Sequence, residues 1–565
     1  MSQAREFEAA LSAPGAPFAV VRDDDGVPVY ADGPRTLKEF VETTWAYGDR
    51  PFLVGESATY TYREFFTASC ALARRLHDTY GLRPGERAAI AMRNHPEWQI
   101  AFWATQLAGL IAVPLNAWWT EAELTYALDD CTPSVLLVDG ERLPRVDAWR
   151  RAHTVRTVVF HGGSGDAEVT GSAGDGVERY EDFPAPDPME APPLLEVRPE
   201  DDSTIIYTSG TTGRPKGAVA TQLAQAGSAR HIQFYGAAAT LAEGRVPGQG
   251  PAPVTLMTFP FFHVAAFATL YVTMGVGGTL VLMRKWDADR ALDLVTRHRV
   301  TGYAGVPTTA LQLLAAAECR GGLESLQVLS TGGAPPPPDL VRKVGAGIVP
   351  RNGYGLTETS GGVLASYGDE YREDPGSVGR PVPAVDVRIA GPNGELLAEG
   401  EVGELWLRGQ SLVRGYWRDE AATAAAFRDG WFRTGDLATV CDGRVSIVDR
   451  LKDMVIRGGE NVYCVEVEAV LQGHPEVEDA AVFGVPHPEL GEEVAAVVQL
   501  CPGAKVGAEG LRAYAGGRLA AFKVPELVAF AAVPRNPTGK ILKHELRELW
   551  ELGELGESRG LFTRG

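Results

Sequence analysis

Between residues 35 and 140, two kinds of hydrophobic pattern alternate along the chain. Residues 62–76 and 98–110 carry apolar side chains at helical spacing, whereas residues 87–92 and 109–114 are short, nearly continuous apolar runs. Short apolar runs bounded by turn residues are typical of buried strands. Because these helices and strands alternate, the pattern predicts a doubly wound α/β domain built on parallel sheets.

The segment 265–283 is the most apolar long stretch of the chain. Glycines and threonines interrupt it before it reaches the ~18 residues that a membrane span needs. It therefore predicts a buried helix followed by a strand, and we expect no integral membrane segment.

Short strand signals then recur at close spacing at residues 385–389, 403–407 and 444–448. The turn dipeptides Asn393-Gly and Asp442-Gly separate them, which favours antiparallel strands or a small barrel. From Met454 onward, mixed helix and strand signals predict a small α+β domain.

The chain of 565 residues is too long for one hydrophobic core. We expect a large N-terminal domain of residues 1–450, with doubly wound sheets and a small barrel. A smaller, mobile α+β domain of residues 451–565 follows it, with a hinge near Lys452. The Gly/Ser-rich stretch 161–176 is interpreted as a loop.

Acidic residues outnumber basic ones by 73 to 53, which gives a formal net charge of -20. This balance argues against a nucleic-acid or anionic-membrane surface, because such surfaces need clustered lysine and arginine. The six cysteines form no CxxC pair, and no secretory leader is recognisable. We therefore expect a cytoplasmic protein without disulfides.

Residues 207–217 (YTSGTTGRPKG) follow a strand-like run and are rich in glycine and hydroxyl residues. Such a loop can direct backbone N–H groups and hydroxyls toward an anion, and Lys216 can neutralise charge. The nucleotide-binding pattern GxxxxGK[ST] does not fit, because Pro215 stands at its second glycine and Gly217 follows the lysine. A surface turn without function is the alternative on composition alone.

Further motifs follow this loop in the chain. They are STGGAP (330–335), NGYGLTET (352–359), WFRTGD (431–436), IVDRLKDM (447–454), GGEN (458–461) and PTGK (537–540). Together they resemble, in order, the motifs of the adenylate-forming superfamily in its acyl-CoA synthetase (carboxylic acid–CoA ligase) branch. The resemblance implies an enzyme that uses ATP and Mg²⁺ to activate an acid as acyl-AMP. It then transfers the acyl group to CoA and releases AMP and pyrophosphate.

The resemblance assigns catalysis to Lys540, Glu358, Thr357 and His263. Lys540 is expected to bridge the carboxylate and the α-phosphate during adenylation, and Glu358 is the expected Mg²⁺ ligand. A carboxylate beside phosphate oxygens suits that metal. Without the surrounding motif, Glu358 would be interpreted as a solvated turn residue.

The same resemblance implies a nucleotide site. Tyr354 is expected to stack on adenine, Asp436 to bind the ribose hydroxyls, and Arg450 to assist. The full set expected to bind ATP or AMP is Thr208, Ser209, Gly210, Thr211, Thr212, Gly213, Lys216, Gly333, Ala334, Pro335, Asn352, Gly353, Tyr354, Gly355, Thr357, Asp436, Val448, Arg450 and Lys540.

Residues 258–267 (TFPFFHVAAF) align with the acid pocket of the superfamily. Relatives that activate amino acids place an aspartate in this neighbourhood, and an unpaired buried ammonium would be costly. The residues expected to line the pocket are His263, Val264, Ala265, Val306, Gly332 and Gly355. They predict an apolar acid, either fatty or bulky aromatic or polycyclic. That the glycines only permit tight turns remains open.

For the thioester step, the resemblance implies that the small domain rotates about Lys452. Gly458, Gly459 and Glu460 would then face the active site. Arg457 and Cys464 depart from the usual pattern near this loop and put the CoA contacts in doubt. Free CoA is the expected acceptor, because no carrier domain follows the motifs.

Two other functions stay open. An acyl-AMP ligase that loads a carrier protein in trans would accumulate adenylate without consuming CoA. A non-catalytic nucleotide-binding regulator would bind ATP without releasing pyrophosphate. The sequence also leaves open whether the protein forms a homodimer.

Overall fold

The computed structural model describes residues 3–56, 58–161, 176–208, 214–337, 340–535, 540–553 and 555. Residues 209–213 of the predicted phosphate loop lie outside the described residues, as do residues 537–539 before Lys540 and most of the predicted loop 161–176. Within the described ranges, no helix is both long and apolar enough to cross a bilayer.

Several helices begin at side chains that cap their first turn. Thr61 and Thr120 each form a capping box with a glutamate three residues later, and Asp287 accepts from the Arg290 N–H. The helices are α1 (Gln3–Ser12), α2 (Leu37–Thr43), α3 (Tyr62–Arg74), α4 (Pro96–Leu107), α5 (Glu121–Cys131), α6 (Leu143–His153), α7 (Gln222–Ala242), α8 (Val264–Gly275), α9 (Ala288–His298), α10 (Pro307–Arg320), α11 (Leu340–Lys343), α12 (Gly368–Glu373), α13 (Glu420–Ala426), α14 (Cys464–Gln472), α15 (Ala508–Gly516) and α16 (Lys543–Glu551).

The strands alternate with these helices and are mostly short. They are β1 (Val20–Arg22), β2 (Pro28–Tyr30), β3 (Pro51–Val54), β4 (Thr59–Thr61), β5 (Arg87–Ala91), β6 (Ile111–Pro114), β7 (Val135–Asp139), β8 (Arg156–Phe160), β9 (Val177–Arg179), β10 (Asp202–Tyr207), β11 (Gly217–Thr221), β12 (Val254–Met257), β13 (Thr279–Leu282), β14 (Gly302–Gly305), β15 (Val328–Gly332), β16 (Val349–Leu356), β17 (Gly361–Tyr367), β18 (Arg380–Pro381), β19 (Val385–Ala390), β20 (Gly403–Gly409), β21 (Gly415–Tyr416), β22 (Phe427–Arg428), β23 (Trp431–Cys441), β24 (Arg444–Arg450), β25 (Val455–Arg457), β26 (Glu460–Val462), β27 (Val477–His487), β28 (Gly491–Leu500) and β29 (Leu527–Phe530).

Two large sheets with parallel centres form the body of the N-terminal part. One has the order β21-β11-β10-β6-β5-β7-β8-β9, and the other β18-β17-β16-β15-β14-β12-β13-β3-β4. The largest hydrophobic cluster takes residues from both sheets and from α4, whose Trp98, Phe102 and Trp103 are fully buried. This arrangement confirms the predicted doubly wound α/β class.

A third, antiparallel sheet occupies the place of the predicted small barrel, with the order β19-β20-β23-β22 and β24 beside β23. In the two-residue turn between β23 and β24, Asp442 has a φ angle of 50° and Gly443 one of 72°. Asn and Asp tolerate this conformation better than most residues do, which explains the hairpin signal.

The last sheet, β26-β25-β28-β27 with β29 beside β28, belongs to the C-terminal part. The chain changes sheets between Arg450 at the end of β24 and Val455 at the start of β25. We keep the domain boundary at 450/451 and the hinge at Lys452 as proposals that this change of sheet supports.

Candidate active site

The candidate site lies at the carboxyl ends of strands in both large sheets, where α/β proteins usually bind ligands. His263 follows β12, Val306 follows β14 and Gly333 follows β15. Thr357 and Glu358 follow β16 in a single 3₁₀ turn. The topology thus brings together residues that are far apart in the sequence.

The expected adenine and ribose residues are in direct contact. The Tyr354 hydroxyl donates a 2.6 Å hydrogen bond to Oδ2 of Asp436, and Nε of Arg450 lies 2.8 Å from Oδ1. Asp436 is buried, with 2% of its surface exposed. Although burial opposes the charge of Arg450, the nearby Asp436 carboxylate raises the pKa of Arg450 above its usual value.

Lys540 reaches this region from the C-terminal part of the chain. Burial, together with the positive charges of Arg450 and Lys452, lowers the pKa of Lys540 to about 8. The carboxylates of Asp436 and Asp453 act in the opposite direction. The Lys540 ammonium is therefore close enough to the Asp436 carboxylate, the expected ribose ligand, to interact with it electrostatically.

His263 caps the N-terminus of α8 and interacts electrostatically with Lys540. Burial, and then Lys540, lowers the pKa of His263 to about 4, so the imidazole is neutral near pH 7. Its Nδ1 accepts a hydrogen bond from the Ala265 N–H at 3.2 Å. The proton of the neutral ring is consequently on Nε2, which makes Nε2 a donor.

Glu358 is linked to Lys216 through Tyr416, a residue that the sequence analysis missed. The Tyr416 hydroxyl donates a 2.7 Å hydrogen bond to Oε1 of Glu358. The Nζ atom of Lys216 lies 5.2 Å from the centre of the Tyr416 ring. Burial and the Glu358 carboxylate raise the pKa of Tyr416, which keeps the hydroxyl protonated.

At two of the expected pocket glycines, strand packing leaves little or no room for a side chain. A Cβ atom on Gly355 would lie 2.0 Å from the Gly361 carbonyl oxygen, and one on Gly332 would lie 3.0 Å from that of Gly353. The pairing of β15, β16 and β17 thus accounts for Gly355 and restricts Gly332, whatever ligand lies beside them.

The remaining expected nucleotide residues are distributed around the same strand ends. Thr208 donates its N–H to the Lys216 carbonyl at 2.9 Å, which joins the two ends of the predicted phosphate loop. Gly333, Ala334 and Pro335 follow β15, Asn352 and Gly353 lie in β16, and Val448 lies in β24. Ser209, Gly210, Thr211, Thr212 and Gly213 are outside the described residues.

A cavity of about 460 Å³ is lined by Val306 and by Phe262, the residue that precedes His263 in the chain. Its apolar walls are formed by Trp118, Phe259, Phe262, Met283, Trp286 and Val306.

Arg93, Arg284 and Lys285 also line this cavity. Glu141 lies 3.5 Å from Arg93 and 3.0 Å from Arg284, so these two cations share one carboxylate. Sequence reasoning missed this cationic group, because Arg93 follows β5 whereas Arg284 and Lys285 follow β13, far away in the sequence.

The hairpin expected in the thioester step is formed by β25 and β26. Gly458 donates its N–H to the Leu490 carbonyl at 2.8 Å, and Glu460 is exposed. Arg457 pairs with Glu493 at 2.6 Å on β28. The unusual Arg457 is therefore engaged within its own sheet.

Cys464 is buried at the start of α14 and contacts the segment around the proposed hinge. Its N–H donates to Asp449, and its Sγ donates to the Asp453 carbonyl at 3.0 Å. Burial lowers the pKa of Lys452 below its usual value. The hinge segment thus contacts the C-terminal part on both sides of Lys452.

Among the described residues, His95, Glu97 and His161 are the one group with a metal-like donor set, with ligand atoms within 4.8 Å of one another. The two imidazole rings are stacked, with centroids 4.1 Å apart and an interplanar angle of 25°. Stacked rings direct their in-plane lone pairs side by side rather than toward one point. His161 also pairs with Glu97 at 2.8 Å, so we assign the group to an ion pair.

Sequence comparison supports the same interpretation. The sequence model of the AMP-binding enzyme family matches residues 40–417. That of the C-terminal domain of AMP-binding enzymes matches residues 466–540. The chain belongs to the AMP-binding enzyme family. The recognised adenylate-forming superfamily is thereby confirmed.

Relatives of this AMP-binding enzyme are CoA ligases. A feruloyl-CoA synthase of Amycolatopsis is 38% identical over 86% of this chain and 93% of its own length. The long-chain-fatty-acid–CoA ligase FadD13 of Mycobacterium tuberculosis is 35% identical over 85% of this chain and 91% of its own length.

The fold is likewise shared with a solved relative. The o-succinylbenzoate CoA synthetase of Bacillus subtilis, in complex with its acyl-adenylate intermediate, superposes with a TM-score of 0.74. It is 28% identical and covers 90% of this chain and 97% of its own. This AMP-binding enzyme is therefore an AMP-forming acid–thiol ligase, and ligases of this kind use ATP, Mg²⁺ and CoA.

Proposed function

We propose that the enzyme is an ATP-dependent acyl-CoA synthetase for an apolar carboxylic acid, fatty or bulky aromatic. The observation that carries this proposal is that Lys540 is close enough to interact electrostatically both with His263 and with Asp436 and Arg450. A carboxylate at His263 and a nucleoside at Asp436 would place the acid and the α-phosphate on either side of Lys540.

In the first half-reaction, a carboxylate oxygen attacks the α-phosphorus and pyrophosphate leaves with the electrons of the broken P–O bond. Lys540, as the ammonium, can reduce the repulsion between the carboxylate and the α-phosphate and balance the negative charge on the α-phosphate oxygens. A preformed cation in a partly buried site stabilises such a transition state more than water does. Lys540 is half-buried, and this burial is the main cause of its lowered pKa.

His263 would orient the acid. Because Nδ1 is occupied by the Ala265 N–H, Nε2–H is the ring's donor and can bind a carboxylate oxygen of the substrate.

On the phosphate side, Thr208, the loop 209–213 and Lys216 would hold the β- and γ-phosphates, with Thr357 as a further contact. Glu358 fits a Mg²⁺ ligand, because Tyr416 takes Oε1 and no hydrogen bond from a described residue reaches Oε2. Mg²⁺ bound there would neutralise charge on the phosphate oxygens and on the leaving pyrophosphate.

The acid class follows from the side chains around His263. Val264 and Ala265, which follow His263 in the chain, are apolar. Val306 lines the cavity together with aromatic side chains. An ammonium would find no carboxylate there among the described lining residues, so an α-amino acid is disfavoured. The names of the relatives, which include feruloyl-CoA synthase and indoleacetate–CoA ligase, favour an aromatic acid within this class.

In the second half-reaction, the CoA thiol attacks the acyl carbonyl and AMP leaves with the former carboxylate oxygen. Lys540 must withdraw for the thiol to enter, and rotation about Lys452 would replace it by Gly458, Gly459 and Glu460.

The experiment is pyrophosphate release with ATP and Mg²⁺ across aromatic, fatty and amino acids, each with and without CoA. We expect release that depends on an aromatic or fatty acid, with the CoA thioester formed when CoA is present. Release with amino acids alone would contradict the apolar pocket. Adenylate that accumulates while CoA remains unused would indicate a carrier-protein acceptor instead.

A further inference from the structure

Tyr416 lies between the two side chains that would hold the triphosphate and its metal. Its hydroxyl donates a 2.7 Å hydrogen bond to Oε1 of Glu358, and Nζ of Lys216 lies 5.2 Å from its ring centre. At this distance the ring attracts the ammonium electrostatically. A single side chain therefore contacts both groups.

Backbone contacts with β11 and with the turn that carries Glu358 hold the segment around Tyr416 in place. Tyr416 pairs with Ala218 in β11, the strand that follows the phosphate loop. The Val413 N–H donates to the Glu358 carbonyl at 2.9 Å, and the Tyr416 N–H donates to Oγ1 of Thr423 at 2.9 Å. The position of the ring is thus set by the strand after the loop and by the turn that carries Glu358.

The hydrogen bond also restricts how Glu358 can turn. With Oε1 bound to a hydroxyl, rotation of the carboxylate is limited and Oε2 is left for a cation. Hydrogen-bond partners of metal ligands orient those ligands and affect metal affinity.

We propose that Tyr416 is a positioning residue for Mg²⁺-bound ATP, which orients Glu358 toward the metal and holds Lys216 beside the β- and γ-phosphates. This rests on the assignment of Glu358 as metal ligand in the proposed function. It does not depend on which acid the enzyme takes.

The test measures the equilibrium dissociation constant of ATP with saturating Mg²⁺ and with EDTA, in the absence of acid. Tyr416→Phe keeps the ring over Lys216 and removes only the hydrogen bond. We expect the Mg²⁺-dependent gain in ATP affinity to fall by roughly 10-fold to 100-fold. The ATP affinity in EDTA should stay at the wild-type value.

Tyr514→Phe is the matched control, because it removes a 2.8 Å hydroxyl hydrogen bond to the Gly473 carbonyl in the C-terminal part. It should leave both ATP affinities unchanged. Tyr416→His restores a hydrogen-bond donor on the ring and should recover part of the Mg²⁺-dependent gain in ATP affinity. It also serves as a second variant if Tyr416→Phe does not fold.

Glu358→Gln separates this inference from the assignment on which it rests. Retention of the full Mg²⁺ effect in Glu358→Gln would overturn both. If Glu358→Gln loses the effect while Tyr416→Phe retains it, Tyr416 has no positioning role and the metal assignment stands. An equal loss with Mg²⁺ and with EDTA in Tyr416→Phe would also overturn the proposal, because it would indicate a merely structural role.

Discussion

The Tyr354 hydroxyl and the Asp436 carboxylate are joined by a 2.6 Å hydrogen bond across 82 residues of sequence. Arg450 takes the other oxygen of Asp436 at 2.8 Å. A carboxylate oxygen has a second lone pair, so Asp436 can still accept from two ribose hydroxyls. The expected adenine and ribose contacts are therefore preorganised in one hydrogen-bonded group around the buried Asp436.

Removing the charge of Asp436 should weaken nucleotide binding. Asp436→Asn keeps the shape but loses hydrogen bonds to a charged group, which are worth about 1.5–3 kcal/mol each. We expect ATP affinity to fall roughly 10-fold to 100-fold, measured by calorimetry. Asp442→Asn is the control, because Asp442 lies in an exposed turn and its exposed pairing with Arg5 should contribute little. Equal losses in both variants would contradict the assignment.

Lys540→Ala should separate the two half-reactions. Without the ammonium, we expect adenylation to slow roughly 10²-fold to 10³-fold, measured as acid-dependent pyrophosphate release. Conversion of a supplied acyl-adenylate and CoA to thioester should continue at the wild-type rate. The control is Lys505→Ala, an exposed lysine of the same C-terminal part. If Lys540→Ala slowed both half-reactions equally, the rotation about Lys452 would lose its support.

Adenylation should also depend on pH through Lys540. The pKa of Lys540 is lowered to about 8, and the protonated form is the active one. The rate constant kcat/KM should therefore be constant below that pKa and fall tenfold per pH unit above it. His263, with a pKa of about 4, stays neutral across this range.

The pH profile is measured without CoA, because a thiol of pKa ~8.5 would titrate in the same range. Lys540→Arg gives the comparison, since arginine keeps its charge to much higher pH. Whatever its rate, its profile should lack the alkaline fall. A fall near pH 8 that persisted in Lys540→Arg would show that another group titrates.

Gly355→Ala should destabilise the fold. The new Cβ atom would lie 2.0 Å from the Gly361 carbonyl oxygen, so β16 and β17 would have to separate. We expect a loss of at least about 1–3 kcal/mol in the free energy of unfolding, measured with urea. Gly347→Ala should be close to neutral, because nothing lies within 4 Å of its Cβ position. Wild-type stability in Gly355→Ala would contradict this packing.

Many helices and strands were predictable because their hydrophobic pattern and their capping residues indicate the same element. The predicted helix 62–76 begins at Tyr62 behind the Thr61 capping box, and the buried runs 87–92 and 109–114 contain β5 and β6. The segment 265–283 indeed contains most of α8 and then β13. These elements depend on residues a few positions apart, which a single sequence displays.

The site was predictable only where several residues form one motif. Tyr416 escaped because its partner Glu358 is 58 residues away and the tyrosine forms no recognisable pattern of its own. The reach of Lys540 into the site depends on how two parts of the chain pack, so it was expected from the resemblance alone. The glycines of the acid pocket were ambiguous, because close strand pairing and a ligand both require small residues.

The most direct test of the account follows the oxygen atoms of the acid. The acid identified by the panel is labelled with ¹⁸O in its carboxylate and converted with ATP, Mg²⁺ and CoA, and the products are analysed by mass spectrometry. Attack on the α-phosphorus followed by thiol attack on the carbonyl predicts one ¹⁸O atom in AMP and none in pyrophosphate. Label in inorganic phosphate or pyrophosphate, or AMP without label, would contradict adenylation as the activating step.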